Sequence, residues 1–275
     1  MDKTLSYLNL LSVFLVLGVN GASQSGAWPY PTVGEISRKF DTLFTPAGYA
    51  FSIWGLIFLG LLGFAGYSIY RSHRYSQGNE YIARSAPWFI GANILNAAWV
   101  VVFTREWIGT SLLIMFALLA CLIAIIRRLN MERWDAPIGT IAYVWWPICL
   151  YSSWISVAAI ANAALYLNYM GWDGWGLGAI NWTVALILVA IALNVFMVLS
   201  RNMREFALVG AWALLAIAVR HREASGFLLY TPLAGTALLG ILAAWHGFRN
   251  RATNPMEKFR QRFTHGNRKN QSNTL

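Results

Sequence analysis

Two stretches of the chain carry the same pair of side chains at helical spacing. In LYSSWISVAAIAN, residues 150 to 162, the residues Tyr151, Trp154, Ala158 and Asn162 share one broad face. An α-helix turns about 100° per residue, so positions four and eight beyond Trp154 are rotated from it by only about 40° and 80°. In NILNAAWVVVF, residues 93 to 103, Asn96, Trp99 and Phe103 fall within one sector by the same arithmetic. Each face offers an indole and, one or two turns away, a carboxamide. Trp54, in FTPAGYAFSIWGLIF at 44 to 58, adds another deep indole. Such groups supply stacking surface and hydrogen bonds rather than catalysis. Two readings fit them. Either small residues bring helices together while the asparagines bond across the contact, or the faces wall a pocket of aromatics with a few polar groups, the usual make-up of a small-molecule site.

The rest of the chain offers no stronger chemistry. Its four histidines, at 73, 221, 246 and 265, include no pair three or four residues apart, and Cys121 and Cys149 fall inside apolar runs, where a thiol behaves as a small hydrophobe. No metal site and no disulfide framework is implied. The lysines, at 3, 39, 258 and 269, and all 11 acidic residues lie in loops or termini. Neither a proton relay nor an acid–base pair is therefore visible at bilayer depth, no catalytic residue is assigned, and ion-coupled transport is disfavoured.

What must position the indoles is a set of membrane-crossing helices. Of the 275 residues 57% are hydrophobic and 12% charged, and the mean hydropathy is +0.49, which excludes soluble classes. A bilayer core of roughly 30 Å takes about 20 helical residues. Eight runs qualify as spans of an all-α multi-pass bundle: 5–22, 46–70, 87–104, 109–127, 139–167, 179–200, 206–221 and 228–248. The seventh is the weakest, being short and ending on Arg220, His221 and Arg222. With the N-terminus inside, the inside segments hold 16 of the 21 basic residues and the outside ones 5, so both termini are expected in the cytoplasm. Seven of the sixteen lie in the tail from Arg249 to Lys269, and the net charge of +10 reads as an orientation and headgroup signal rather than nucleic-acid binding. Lys3, the apolar run after it and NGAS at 20 to 23 also fit a cleaved signal peptide, which the charge count does not distinguish from a first span.

The tryptophans divide by depth. Trp28, Trp88, Trp107, Trp134, Trp172, Trp175, Trp182 and Trp245 fall near span ends, where an aromatic belt is expected. Trp54, Trp99, Trp145, Trp146, Trp154 and Trp212 lie deeper, where an indole N–H wants a partner. Gly60, Gly63 and Gly66 make a stripe for close helix packing. Asn181, Asn194, Thr231 and Thr236 are expected to bond between helices, Arg220 to snorkel to the interface, and DGWG at 173 to 176 to form a turn.

These motifs resemble those of the TspO family, the tryptophan-rich sensory proteins related to the peripheral benzodiazepine receptor. LNAAWVVVF resembles the family's third-helix pattern of Leu-Asn, two residues, Trp, three residues, Phe. LYSSWISVAAIAN resembles its fifth-helix pattern through Tyr151, Trp154, Ala158 and Asn162, although Leu150 stands where the family has Pro and Pro147 lies one turn earlier. FTPAGYAFSIWGLIF resembles the start of the second helix through Pro46 and Trp54, while Tyr49 and Phe51 do not match cleanly. The resemblance covers residues 5 to 168 and divides the chain into a TspO-like five-helix bundle (1–168), a three-helix extension (169–248) and a basic cytoplasmic tail (249–275).

The resemblance implies a bundle, commonly a homodimer, that binds tetrapyrroles or other hydrophobic small molecules near the loop between its first two helices. Here that loop is 23–45, where Trp28, Pro29, Tyr30 and Pro31 form either a lid or a rigid interfacial loop. The expected function is that of a membrane sensor or receptor for a flat apolar ligand, a porphyrin first among the candidates, held noncovalently by Trp54, Asn96, Trp99, Phe103, Tyr151, Trp154, Ala158 and Asn162. The alternative is a permease for a hydrophobic or amphipathic molecule. Enzymatic breakdown of a bound tetrapyrrole, also suggested by the resemblance, ranks last for want of a metal or an acid–base set.

Overall fold

The computed structural model describes residues 2–26, 28–224 and 226–249. The basic tail expected at 249–275 lies outside them apart from Arg249. All regular structure among the described residues is helical: α1 (Asp2–Ser23), α2 (Val33–Lys39), a 3₁₀ turn (Gly48–Ser52) leading into α3 (Ile53–Arg74), α4 (Glu80–Thr104), α5 (Ile108–Arg128), α6 (Ile138–Thr140), α7 (Trp146–Tyr169), α8 (Gly178–Arg201), α9 (Arg204–Arg220) and α10 (Phe227–Arg249). Among the described residues seven helices are long and apolar enough to cross a membrane, where eight spans are expected. The odd one out is α9. Its 17 residues rise only about 25 Å at 1.5 Å each, and Arg204 and Glu205 occupy its first turn. It is nevertheless an interior helix, with Ala207, Gly210, Ala211, Ala213, Ala216 and Ala218 all buried. Small side chains let α7, α8 and α10 close on it from three sides.

The hub on the other side is α7. Of its 24 residues 14 are buried, and it packs against α3, α5, α8 and α9, while α1 lies against α3 and α4. The Ser153 hydroxyl donates to the Phe206 carbonyl of α9 at 2.7 Å, one polar tie between the two groups of helices. Just before α7 the backbone widens into a π-helical turn, Ile141–Trp145, in which the Trp146 N–H reaches back to the Ile141 carbonyl. Pro147 is the cause, since it has no N–H to offer the carbonyl four residues earlier. The irregularity therefore precedes Pro147 and not Leu150, where the family has its proline. Gly60 lets α3 approach it: a Cβ on Gly60 would stand 3.2 Å from Pro147 Cβ, and one on Gly63 3.4 Å from the Tyr143 ring, whereas Gly66 faces open space.

Other expectations shift in register. α4 starts at Glu80 rather than 87 and carries Pro87 inside it, because residues 80 to 86 are too polar for hydropathy to register. Asn181 and Asn194 bond to their own helix, at Leu177 and Ala190, instead of across a contact. Exposed Asn181 has no helix opposite it, and Asn194 has the bare backbone of Gly210 against its carboxamide. Thr236 does bond across, to the Ala211 carbonyl of α9 at 3.3 Å. The DGWG turn forms as expected, with the Asp173 carboxylate accepting from the Trp175 N–H and with Gly174, Trp175 and Gly176 all at positive φ.

Candidate ligand-binding site

The end of the bundle away from the N-terminus contains a cavity of about 1050 Å³. Its inner wall is aromatic. Trp54 and Phe58 of α3 stack on each other with centroids 5.2 Å apart, Phe51 projects from the 3₁₀ turn, and Trp99 stands opposite on α4. Leu17, Asn20, Gly21 and Gln24 from the last turns of α1 close one flank, and Val33, Gly34, Ser37 and Arg38 of α2 close another. The linker from α2 to α3 contributes Asp41, Thr45, Pro46, Ala47 and Gly48, and α9 contributes Arg220. The lining thus combines aromatic rings with a few polar groups, the usual make-up of a small-molecule pocket.

The sequence-selected residues separate into three groups. Trp54 and Trp99 line the cavity directly. Tyr151, Trp154, Phe103 and Asn96 stand one side chain behind the wall. Tyr151 meets Trp54 edge-on at 6.0 Å, Trp154 meets Phe51 at 5.8 Å, and Phe103 stacks on Trp99 at 4.7 Å. Asn96, 1% exposed, accepts from the Asn20 carboxamide at 3.1 Å, so the asparagine of the third-span motif orients a cavity-lining residue of α1. Ala158 and Asn162 do not reach the cavity. Asn162 accepts from the Ser111 hydroxyl at 3.2 Å and ties α7 to α5, as the packing reading of that motif has it.

Trp28, Pro29, Tyr30 and Pro31 do not line the cavity either. The Trp28 N–H donates to the Thr104 hydroxyl at 3.3 Å, and the Arg105 guanidinium lies over the Tyr30 ring, so this segment rests on the end of α4. The part of the 23–45 segment that lines the cavity is instead chiefly α2, a short helix where a loop is expected. Its signal was TVGE at 32 to 35, a capping box: the Thr32 hydroxyl accepts from the Glu35 N–H, and the Glu35 carboxylate accepts from the Thr32 N–H at 2.7 Å. The backbone N–H and then the hydroxyl of Thr32 hold the Glu35 carboxyl below its ordinary value. Arg38 and Lys39 complement the other end of this short helix. Arg220, at the end of α9, pairs with Asp41 and donates to the carbonyls of Thr42 and Thr45. An arginine at one span end and an aspartate in a loop on the same side were the legible clue.

Helices and cavity together define an integral membrane bundle with an internal, aromatic-walled cavity. The chain belongs to the TSPO-like protein family, whose model matches residues 6–245. The matched stretch thus runs on through α8, α9 and most of α10, past the point where the motif resemblance ends. Neither the curated proteins nor the solved structures contain a match to the chain.

Proposed function

We propose that this protein is a membrane sensor or regulator that binds a flat, largely apolar ligand of porphyrin size in the cavity between α1, α2, α3 and α4. The observation that carries this reading is the pairing of Trp54 and Trp99 on the walls of a space of about 1050 Å³. That space is ample for a tetrapyrrole, since ligand sites commonly run from about 300 to 1,000 Å³. Asn20, Ser37, Arg38 and Thr45, which line the cavity, would meet polar substituents. On the bias of basic residues we infer that the N-terminal end of the bundle faces the cytoplasm and the cavity the opposite side. Binding, rather than turnover, is the proposed activity.

The test is titration of the full chain in nanodiscs with protoporphyrin IX, followed through the porphyrin absorption band, together with uptake of the same compound into proteoliposomes. Saturable micromolar binding without accumulation supports the sensor reading. Accumulation would move the permease reading ahead, and the absence of saturable binding would remove the porphyrin.

A further inference from the structure

α9 supplies the cavity's longest-range polar contacts. Arg220 Nη1 donates to the carbonyls of Thr42 at 3.2 Å and Thr45 at 2.9 Å, while Nη2 pairs with the Asp41 carboxylate. His221 Nε2 lies 2.8 Å from the Leu43 carbonyl. One and two turns back along the helix, the Ala216 carbonyl accepts from the Ala47 N–H at 3.1 Å, and the Trp212 indole N–H donates to the Ala50 carbonyl at 3.1 Å. The Trp212 ring also sits edge-on to Tyr49 at 5.2 Å. Every one of these partners belongs to residues 41–50, the linker between α2 and α3.

Outside α9 the linker is anchored by the buried Phe44 ring and by the Asn168 carboxamide, which donates to the Asp41 carbonyl at 3.5 Å. The linker contains one turn closed by the Thr45 N–H on the Thr42 carbonyl, and then Pro46, which donates nothing. Yet it forms a wall of the cavity from Asp41 to Gly48, and the guanidinium that fixes it lines the same space. Arg220 meets three acceptors in two directions, a task for a rigid planar fork that the point charge of a lysine does not perform.

We propose that Arg220 is a positioning residue that latches the 41–45 linker onto α9 and so holds one wall of the cavity, which makes the C-terminal helices part of the ligand site. This rests on the ligand reading only in its final readout. The first readout is access to the cavity wall. The full chain carries Ala47→Cys in a background with Cys121→Ala and Cys149→Ala, and reaction with a water-soluble maleimide is timed in nanodiscs. With Arg220 present the reaction is slow. Arg220→Ala is expected to speed it about tenfold and Arg220→Lys nearly as much, with little change in unfolding temperature. Asp41→Asn, which removes one arm of the latch and keeps the arginine, is expected to speed it about threefold and serves where Arg220→Ala does not fold.

Unchanged labelling in folded Arg220→Ala, or in folded Asp41→Asn where Arg220→Ala does not fold, overturns the latch. The second readout is dissociation of protoporphyrin IX, expected to quicken in the same variants. If labelling accelerates while no form of the protein binds porphyrin, the latch stands and the porphyrin reading fails. If porphyrin binds equally to all forms and labelling is unchanged, the ligand site stands and the latch falls.

Discussion

Replacing both wall indoles, Trp54→Leu with Trp99→Leu, isolates what the aromatic walls contribute to binding. Each ring is already packed from behind, Trp54 by Tyr151 and Trp99 by Phe103, at centroid separations of 6.0 and 4.7 Å. Leucine keeps the site apolar and leaves those backing rings in place, so the loss is mainly the ring-on-ring term with the ligand. An aromatic pair is worth about 0.5–1.5 kcal/mol beyond the area it buries. Two such contacts amount to about 1–3 kcal/mol, or roughly 5- to 150-fold in dissociation constant. The assay is titration followed through the porphyrin absorption band, because tryptophan quenching would be confounded by removing the quenched groups. Asn162→Ala is the matched control. It breaks the bond to Ser111 and should cost about 1 kcal/mol of stability while leaving affinity unchanged. A double variant that remains folded and binds within twofold of wild type would refute the aromatic-wall account. So would a loss of affinity in Asn162→Ala as large as that in the double variant.

Three further outcomes follow from the packing. Gly210→Ala drives a Cβ into the Asn194 carboxamide, which is tied to its own helix by a 2.8 Å bond; overpacking of this kind costs about 1–3 kcal/mol, read as a lowered midpoint in thermal unfolding. Gly60→Val presses on both the side chain and the backbone of Pro147, 3.2 and 3.3 Å from the added Cβ, and should separate α3 from α7, lowering stability by a similar amount and weakening porphyrin binding through the displaced Trp54. Thr32→Ala removes the N-cap of α2, a change worth about 1 kcal/mol of helix stability, and should raise amide exchange across residues 33–39. The same helix carries the pH dependence. The Glu35 carboxyl is depressed below its ordinary value of 4.5 by its bonds from Thr32, so its contribution is present above that value and lost as pH falls through the depressed one. Exchange in α2 should therefore rise only in acid below 4.5, and Glu35→Gln should abolish that rise.

Hydropathy located the helices well because crossing a bilayer imposes length and composition together. It failed where neither constraint acts. The first turns of α4 are polar and α2 is too short to show a period, whereas α9 matches the expected run 206–221 but is too short to count as a full span. The motif residues were legible as faces, since 3.6-residue spacing fixes which side chains share a sector, but spacing does not say what stands opposite. Asn96 and Asn162 look alike in sequence. One meets Asn20 beside the cavity and the other meets Ser111 at a helix contact, and only the neighbouring helix decides between them. Arg220 and Asp41 are 179 residues apart, so their meeting is a product of topology that no local pattern carries.

Topology also explains why the cavity lies at one end of the bundle. Through the middle of the membrane α3 is held to the α7 segment by the contact of Gly60 with Pro147, and α7 is held to α9 by Ser153 on the Phe206 carbonyl. Toward the N-terminal end, Ser6 bonds to the Ser68 carbonyl and brings α1 onto α3. At the far end the chain spends its residues differently. Between α1 and α3 there is a linker of about thirty residues rather than a tight turn, and Pro46 delays the start of α3. The space between the helix ends there is walled by rings and flanked by α2. A shorter linker would close that gap and remove the site. Deleting residues 28–31, which rest on α4 outside the cavity, should therefore leave porphyrin affinity within about threefold, whereas deleting residues 33–39 should abolish saturable binding. The reverse order would return the covering role to the tryptophan-proline segment and remove α2 from the site.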